Sequence, residues 1–179
     1  MTDDGTVDRT TGRTTLPEDG TVTRTADGRT LLRFERQLRH PAERVWRALT
    51  DPSEISGWLA EAKLDPFEGG QVELRWLNTD EDGRSAVARG TVTRYDPPRL
   101  LGLDTDIHGR LQWELDPTPA GSRLVFTCEH DLSPDWLAKV LAGWHVHLDF
   151  LEEALDGHRV DWPNWPMERW QAHHDRYAG

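Results

Sequence analysis

The segment AGWHVHLDFLEEALDG, residues 142–157, carries the densest set of side chains that could bind a metal ion or transfer a proton. His145, His147 and Asp149 lie here among apolar residues whose spacing predicts a helix. Since a helix turns by about 100° per residue, the two histidines point about 160° apart and cannot share a metal ion. His145 and Asp149 have the required spacing, but such a pair is typical of a surface hydrogen bond. We predict no metal site in this segment.

Three further residues could meet a ligand. His130 continues the inward register of Phe126 and Cys128, so its ring could hydrogen-bond a ligand, or it could be satisfied by backbone at the strand end. Arg36 shares the face of Phe34 and could meet an anion or extend past the sheet edge. Cys128 has no cationic neighbour to activate it, which indicates a small buried apolar residue. The chain has no phosphate-binding loop and no nucleophile elbow.

Composition limits the class of protein. The chain has 179 residues, a single cysteine and a formal charge of -11. The length predicts one domain, and the single cysteine predicts a reducing, cytoplasmic compartment. The negative charge argues against nucleic acid or a membrane as the main partner. We divide it into a flexible tail (1–20), a folded domain (21–157) and a Trp/Pro-rich C-terminal extension (158–179). Nine tryptophans indicate an aromatic core or an aromatic pocket.

The pattern of elements must position these residues. A half-buried strand is predicted from Thr30, followed by a helix over AERVWRALTD and a second, short helix with Ser53 as its N-cap. A long amphipathic helix runs from Ser133-Pro134 to Gly157. Between them, turn signals predict an antiparallel meander of about six strands, with named members QVELRW, SAVARGTVTRY, RLLGLDTDI, GRLQWELDP and GSRLVFTCEHDL.

This order resembles the SRPBCC superfamily, which includes the START and birch-pollen-allergen types. VWRALTDPSEISGW, the Gly69-Gly70 pair, YDPPRLL and GWHVHLDFLEEALDG are similar to the motifs of the family named for activators of the ninety-kilodalton heat-shock protein's ATPase. The resemblance implies an α+β helix-grip fold, in which a curved antiparallel β-sheet with two short helices wraps around a long C-terminal helix. Members are mostly small bacterial proteins with an apolar cavity, and the family name suggests a chaperone partner and a stress response. We predict no cofactor for this chain.

A cavity between the sheet and the long helix is the expected site. Each large aromatic residue there either fills the core or forms the cavity wall. The candidate lining residues are Trp58, Trp76, Trp113, Phe126, Cys128, His130, Trp144 and Leu148. We favour binding of a small apolar or amphipathic molecule over a cyclase or hydrolase activity in the same cavity. An accessory factor that binds a chaperone is the third possibility.

The C-terminal extension needs a surface to cover. On a helical wheel Val146 and Phe150 lie opposite the apolar stripe of the long helix, where water would reach them. The extension carries Trp162, Trp165 and Trp170, more apolar area than a free tail retains. We predict that it folds back over the outer face of the long helix, either its own or that of a partner in a homodimer; the alternative is an extension that packs elsewhere on the sheet.

Overall fold

A computed structural model describes residues 18–79 and 82–179 of the chain. Two strands precede a pair of short helices and six strands follow it. A long helix and two shorter helices come last in the chain. The strands are β1 (Thr21–Arg24), β2 (Thr30–Leu38), β3 (Ala60–Leu64), β4 (Gln71–Trp76), β5 (Val87–Asp96), β6 (Leu100–Thr105), β7 (Gly109–Thr118) and β8 (Gly121–His130). The helices are α1 (Ala42–Thr50), α2 (Pro52–Ile55), α3 (Pro134–Leu155), the single-turn α4 (Trp162–Asn164) and α5 (Met167–Ala178).

The strands form one antiparallel sheet in the order β1-β2-β8-β7-β6-β5-β4-β3. After β2 the chain crosses through α1 and α2 to the far edge and then returns strand by strand, which is the predicted meander. The α+β helix-grip fold predicted from the sequence is confirmed. No helix in the described ranges combines the length and the apolar character needed to cross a membrane.

Alternation of apolar and polar residues sets the concave face of the sheet. On β2 every second side chain from Thr30 to Leu38 is buried. Phe34 pairs with Phe126 of β8, which pairs with Trp113 of β7, so three aromatic residues stand in a row across the sheet. The ring centroids of Phe126 lie 6.2 Å from those of Phe34 and 5.0 Å from those of Trp113.

Helix α3 packs its predicted stripe on this face. Leu141, Trp144, Leu148, Leu151 and Leu155 are all buried. The Trp144 ring lies 4.6 Å from the Phe126 ring, centroid to centroid, and fits into the aromatic row. Burying side chains of this size supplies most of the apolar stabilisation of a small core.

Three local features differ from the sequence prediction. The N-cap of α2 is Asp51, whose carboxylate accepts the Ser53 N–H at 2.8 Å, because Pro52 occupies the first helical turn. Strand β1 was not predicted because all four of its residues are exposed, so it has no apolar alternation. Strand β3 is short and rich in alanine, and it had no clear sequence signal.

The C-terminal extension packs back on α3 of its own chain, as one form of the prediction requires. Val146 and Phe150 are buried, and the Phe150 ring lies edge-on to Trp162 at 6.1 Å. Trp162 Nε1 donates to the Ser56 carbonyl at 2.7 Å, which fixes the start of the extension next to α2. Helix α5 then runs along α3.

The predicted N-terminal tail falls largely on residues 1–17, which lie outside the described residues. Its last three residues contact the fold. Asp19 is buried and forms an ion pair with Arg176, and Gly20 N–H donates to the Tyr177 hydroxyl at 2.8 Å. These contacts join the start of the described chain to α5.

Candidate ligand-binding site

An aromatic cleft lies beside the N-terminal half of α3. Its volume is about 270 Å³, and it opens to solvent. The rings of Trp76, Trp144 and His108 form its base, and Trp136 and Trp170 form its sides. We refer to it as the aromatic cleft.

Four separate parts of the chain build this cleft. Trp76 ends β4, and His108 lies in the turn between β6 and β7. Trp144 comes from α3, and Trp170 comes from α5 of the extension. The centroids of the Trp76 and His108 rings are 4.3 Å apart, and those of the Trp76 and Trp144 rings are 6.2 Å apart.

The turn that carries His108 is closed by local hydrogen bonds. The Thr105 hydroxyl donates to the Gly109 carbonyl at 3.1 Å and accepts the His108 N–H at 3.2 Å. Gly109 has a φ of 66°, and a Cβ there would lie 2.3 Å from the Glu129 carbonyl oxygen, so the turn requires glycine. His108 is thereby held over Trp76.

Polar atoms without partners face this region. His108 Nε2 and the Asn78 side-chain oxygen are buried atoms with no hydrogen-bond partner among the described residues. Burial lowers the pKa of His108 to about 4, helped by the nearby His130 and His147, so its ring is neutral at pH 7. A neutral imidazole can donate a hydrogen bond to a ligand or accept one, whereas the Asn78 oxygen can only accept one.

His147 also borders the aromatic cleft. Its Nδ1–H donates to the Trp58 carbonyl at 3.0 Å, because a carbonyl oxygen can only accept. Burial lowers its pKa to about 4, although the hydrogen bond to Trp58 acts in the opposite direction. His147 therefore ties α3 to the turn after α2.

A second cleft, of about 420 Å³, adjoins the first and shares His108, Trp136 and Val140 with it. Cys128 and His130, two of the predicted site residues, line this second cleft. His130 Nε2–H donates to the Ile107 carbonyl at 3.0 Å, whereas its buried Nδ1 has no hydrogen-bond partner among the described residues. Burial raises the pKa of Cys128 to about 12, which keeps the thiol protonated.

The predicted site residues thus separate into three groups. Trp76 and Trp144 line the aromatic cleft, and Cys128 and His130 line its neighbour. The other four lie in the packed interior and line neither cleft: Trp58, Trp113, Phe126 and Leu148. Trp58, for example, is 1% exposed, and its Nε1–H donates to the Ala48 carbonyl of α1 at 2.8 Å.

His145 and Asp149 are joined by a third group that the helical spacing did not reveal. His173 of α5 stacks on His145 with centroids 3.8 Å apart and bonds Asp149 at 2.9 Å. Burial would raise the pKa of Asp149, but the His173 hydrogen bond and the charges of His145, His173 and Arg36 outweigh it and lower that pKa.

The geometry of this cluster suits an ion network better than a metal ion. Two stacked parallel imidazoles cannot both aim a lone pair at one ion about 2.0 to 2.1 Å away. Arg36 and Arg169 each place a guanidinium nitrogen 3.6 Å from the Asp149 carboxylate and would repel a cation. Arg36, 2% exposed, also places its Nε 3.0 Å from the Glu152 carboxylate. The anionic groups that Arg36 contacts are therefore carboxylates of the protein itself.

Sequence reasoning missed His108, Asn78, Lys139 and Trp170 as candidates. None of them stands in a motif, since they come from a turn, a hairpin and two helices far apart in the chain. One signal was available: Gly143 lies in the middle of α3, where glycine costs about 1 kcal/mol relative to alanine. It borders the aromatic cleft.

Comparison with known proteins places the chain among structures of the same fold. CalU16 from Micromonospora echinospora is 26% identical, with a TM-score of 0.67 over 89% of this chain and 93% of that one. Protein MLL2253 from Mesorhizobium loti is 26% identical, with a TM-score of 0.59 over 73% and 99%. An AHSA1-like protein from Aeromonas hydrophila is 23% identical, with a TM-score of 0.61 over 71% and 92%. No curated protein matches.

The family match agrees with the fold and with the sequence motifs. The family described as "Activator of Hsp90 ATPase homolog 1-like protein" matches residues 39–156, about two thirds of the chain. The matched segment begins at the end of β2 and ends just after α3, so the C-terminal extension lies outside it. The chain therefore belongs to the family of activator of Hsp90 ATPase homolog 1-like proteins.

Proposed function

We propose that this protein binds a small amphipathic molecule in the aromatic cleft. The observation that supports this most directly is the set of rings of Trp76, His108 and Trp144 around an open volume, with unpaired polar atoms beside them. Ligand pockets commonly combine an apolar, aromatic lining with a few polar groups that orient the ligand. The cleft has both.

The available volume suits a small ligand. The aromatic cleft measures about 270 Å³, near the lower end of the roughly 300 to 1,000 Å³ usual for such sites. Its neighbour adds about 420 Å³. A molecule of one or two fused rings fills the first cleft, and a longer one extends past Trp136 or Trp170 into the adjacent space.

The pKa values of His108 and Cys128 favour ligand binding over catalysis. A general base works best with a pKa near the operating pH, whereas the pKa of His108 is about 4. The Cys128 thiol, with a pKa of about 12, is a poor nucleophile at pH 7. Both groups suit hydrogen bonding and packing. We therefore favour a binding protein over a cyclase or hydrolase.

The neutral fluorescent probe N-phenylnaphthylamine tests this function, together with native mass spectrometry of freshly purified protein for a co-purifying molecule. We expect the probe to bind and Gly143→Leu to weaken its binding at least about tenfold. A Cβ at Gly143 meets only Trp170 Nε1, at 4.0 Å, so a larger side chain enters open space in the cleft. Replacing glycine inside a helix also stabilises it by about 1 kcal/mol.

Thermal midpoints separate a blocked cleft from a damaged fold. Gly143→Leu should melt at or above the temperature of the unmodified protein while losing probe binding. Gly143→Ala, which adds one methyl group, should show a smaller loss of binding. Unchanged binding in Gly143→Leu, or no binding of the probe by the unmodified protein, contradicts the proposal.

A further inference from the structure

We infer that the ligand is an aromatic anion whose ring packs against the indoles that line the aromatic cleft and whose charge meets Lys139. This inference rests on the proposed function and names the chemical class of the ligand. It also assigns the C-terminal extension a part in the site. Three observations support it: the charge in the cleft, the aromatic residues that line it and the anchoring of α5.

The aromatic cleft carries one positive charge. Among the described residues that line the aromatic cleft, Lys139 is the one charged side chain. Its Nζ lies 4.6 Å from the centroid of the Trp136 ring, and it forms no ion pair with a carboxylate in the described ranges. In contrast, Lys63, the only other lysine of the chain, lies 3.7 Å from Glu73. An ammonium group without a partner beside an aromatic surface favours an anionic ligand group.

A cationic ligand is the main alternative, since aromatic cages bind quaternary ammonium groups. The net charge of -11 would also attract a cation. However, the Lys139 ammonium group borders the same cleft and would repel it over a few ångströms. The local charge therefore opposes the charge of the whole chain.

One face of α3 borders the aromatic cleft. Trp136, Lys139 and Gly143 lie at steps of three and four along α3, so they form this face. A Cβ at Gly143 would lie 4.0 Å from Trp170 Nε1, so this indole stands at van der Waals distance from the helix. A ligand ring therefore packs beside Trp170, among the other rings of the cleft.

Helix α5 is anchored firmly enough to hold this wall in place. Arg169 Nη1 lies 2.6 Å from the Glu153 carboxylate, and His173 bonds Asp149 at 2.9 Å, so both neighbours of Trp170 on the α3 side are tied to α3. Trp170 also stacks on His174, with centroids 5.0 Å apart. A wall positioned before the ligand arrives lowers the entropy cost of binding.

The test uses three naphthalene derivatives whose single substituent is anionic, neutral or cationic: naphthoate, the nearly isosteric naphthamide, and naphthyltrimethylammonium. Their dissociation constants are measured by calorimetry and by quenching of tryptophan fluorescence. We expect naphthoate to bind at least about fivefold more tightly than naphthamide, a factor that corresponds to about 1 kcal/mol. The ammonium compound should bind most weakly. The preference for naphthoate should decrease at high ionic strength, because Lys139 is exposed and its charge is screened.

Matched variants identify the charge and the wall. Lys139→Met should remove the preference for naphthoate, whereas Lys63→Met removes the same charge from the β3 edge and should keep it. Trp170→Leu should weaken all three ligands by a similar factor. Because Trp170 is only half-buried, the fold should tolerate this change, and the thermal midpoint checks that it does.

The outcomes distinguish this inference from the proposed function. Equal binding of naphthoate and naphthamide, tighter binding of the ammonium compound, or a preference that survives Lys139→Met overturns the inference. If Gly143→Leu still blocks the neutral probe, the proposed function stands. If Trp170→Leu changes nothing, the extension is not a wall of the site. If neither the three ligands nor the neutral probe binds, both proposals fall.

Discussion

The Tyr177 hydroxyl joins three parts of the molecule, so its removal should have a measurable cost. It accepts the Gly20 N–H at 2.8 Å and lies 2.7 Å from His145 Nδ1, to which its O–H can donate. These bonds connect α5 to α3 and to the segment before β1. Tyr177→Phe keeps the ring and removes only the oxygen that makes both bonds.

The expected magnitude follows from the groups left behind. A buried donor or acceptor without a partner costs about 1 to 3 kcal/mol, and this change leaves two such groups, partly reached by water. We expect the free energy of unfolding to fall by about 2 kcal/mol. For a domain of this length 1 kcal/mol corresponds to about 2 to 4 °C, so the thermal midpoint should fall by about 4 to 8 °C.

Circular dichroism during thermal and urea unfolding measures this change. The chain's other tyrosine is the control, because the Tyr95 hydroxyl has no hydrogen bond among the described residues and its ring packs against Trp46 at 5.3 Å. Tyr95→Phe should change the free energy of unfolding by less than about 0.5 kcal/mol. Equal losses in the two variants would refute the reasoning that α5 is held through the Tyr177 hydroxyl.

Four further predictions follow from the buried groups. Burial lowers the pKa of His145 to about 3 and of His147 to about 4, below the usual 6.5, so the unfolded chain binds more protons below that pH. The free energy of unfolding, measured with urea, should therefore decrease from about pH 6.5 towards pH 4, and His147→Gln should make this decrease shallower; an unchanged slope would contradict the assignment. The Cys128 thiol, with a pKa of about 12, should not react with a thiol reagent until denaturant is added, and rapid labelling of the native protein would show that it is accessible. Trp144→Ala should cost about 3 to 5 kcal/mol, because its ring packs on Phe126, and a neutral effect on both stability and probe binding would argue against the packing of α3 described above. Dialysis against a chelator should leave the thermal midpoint unchanged, since Arg36, Arg169 and His173 already surround Asp149, whereas a fall of many degrees would reveal a structural metal.

Local patterns in the sequence predicted most of the helices and strands, and the resemblance of their order and motifs to a known family predicted the helix-grip fold. Side chains two apart on a strand, or three and four apart on a helix, share a face whatever the rest of the chain does. The inward residues of β2 and β8 and the apolar stripe of α3 could therefore be predicted from the sequence. The sequence also predicted that Val146 and Phe150 would be exposed on α3 unless another segment covered them. Elements without such a pattern, β1 and β3, were not.

Tertiary structure decided which residues line the aromatic cleft. The fold of the sheet brings His108 of one turn onto Trp76 at the end of another strand, and α5 brings Trp170 opposite Gly143. The same packing adds His173 to the pair His145 and Asp149. These contacts join residues that are distant in sequence, and no periodicity specifies such a distance. The sequence could show that large aromatic side chains are available to form a cleft wall. Only the packing of the chain determines which of the nine tryptophans line the cleft and which fill the core.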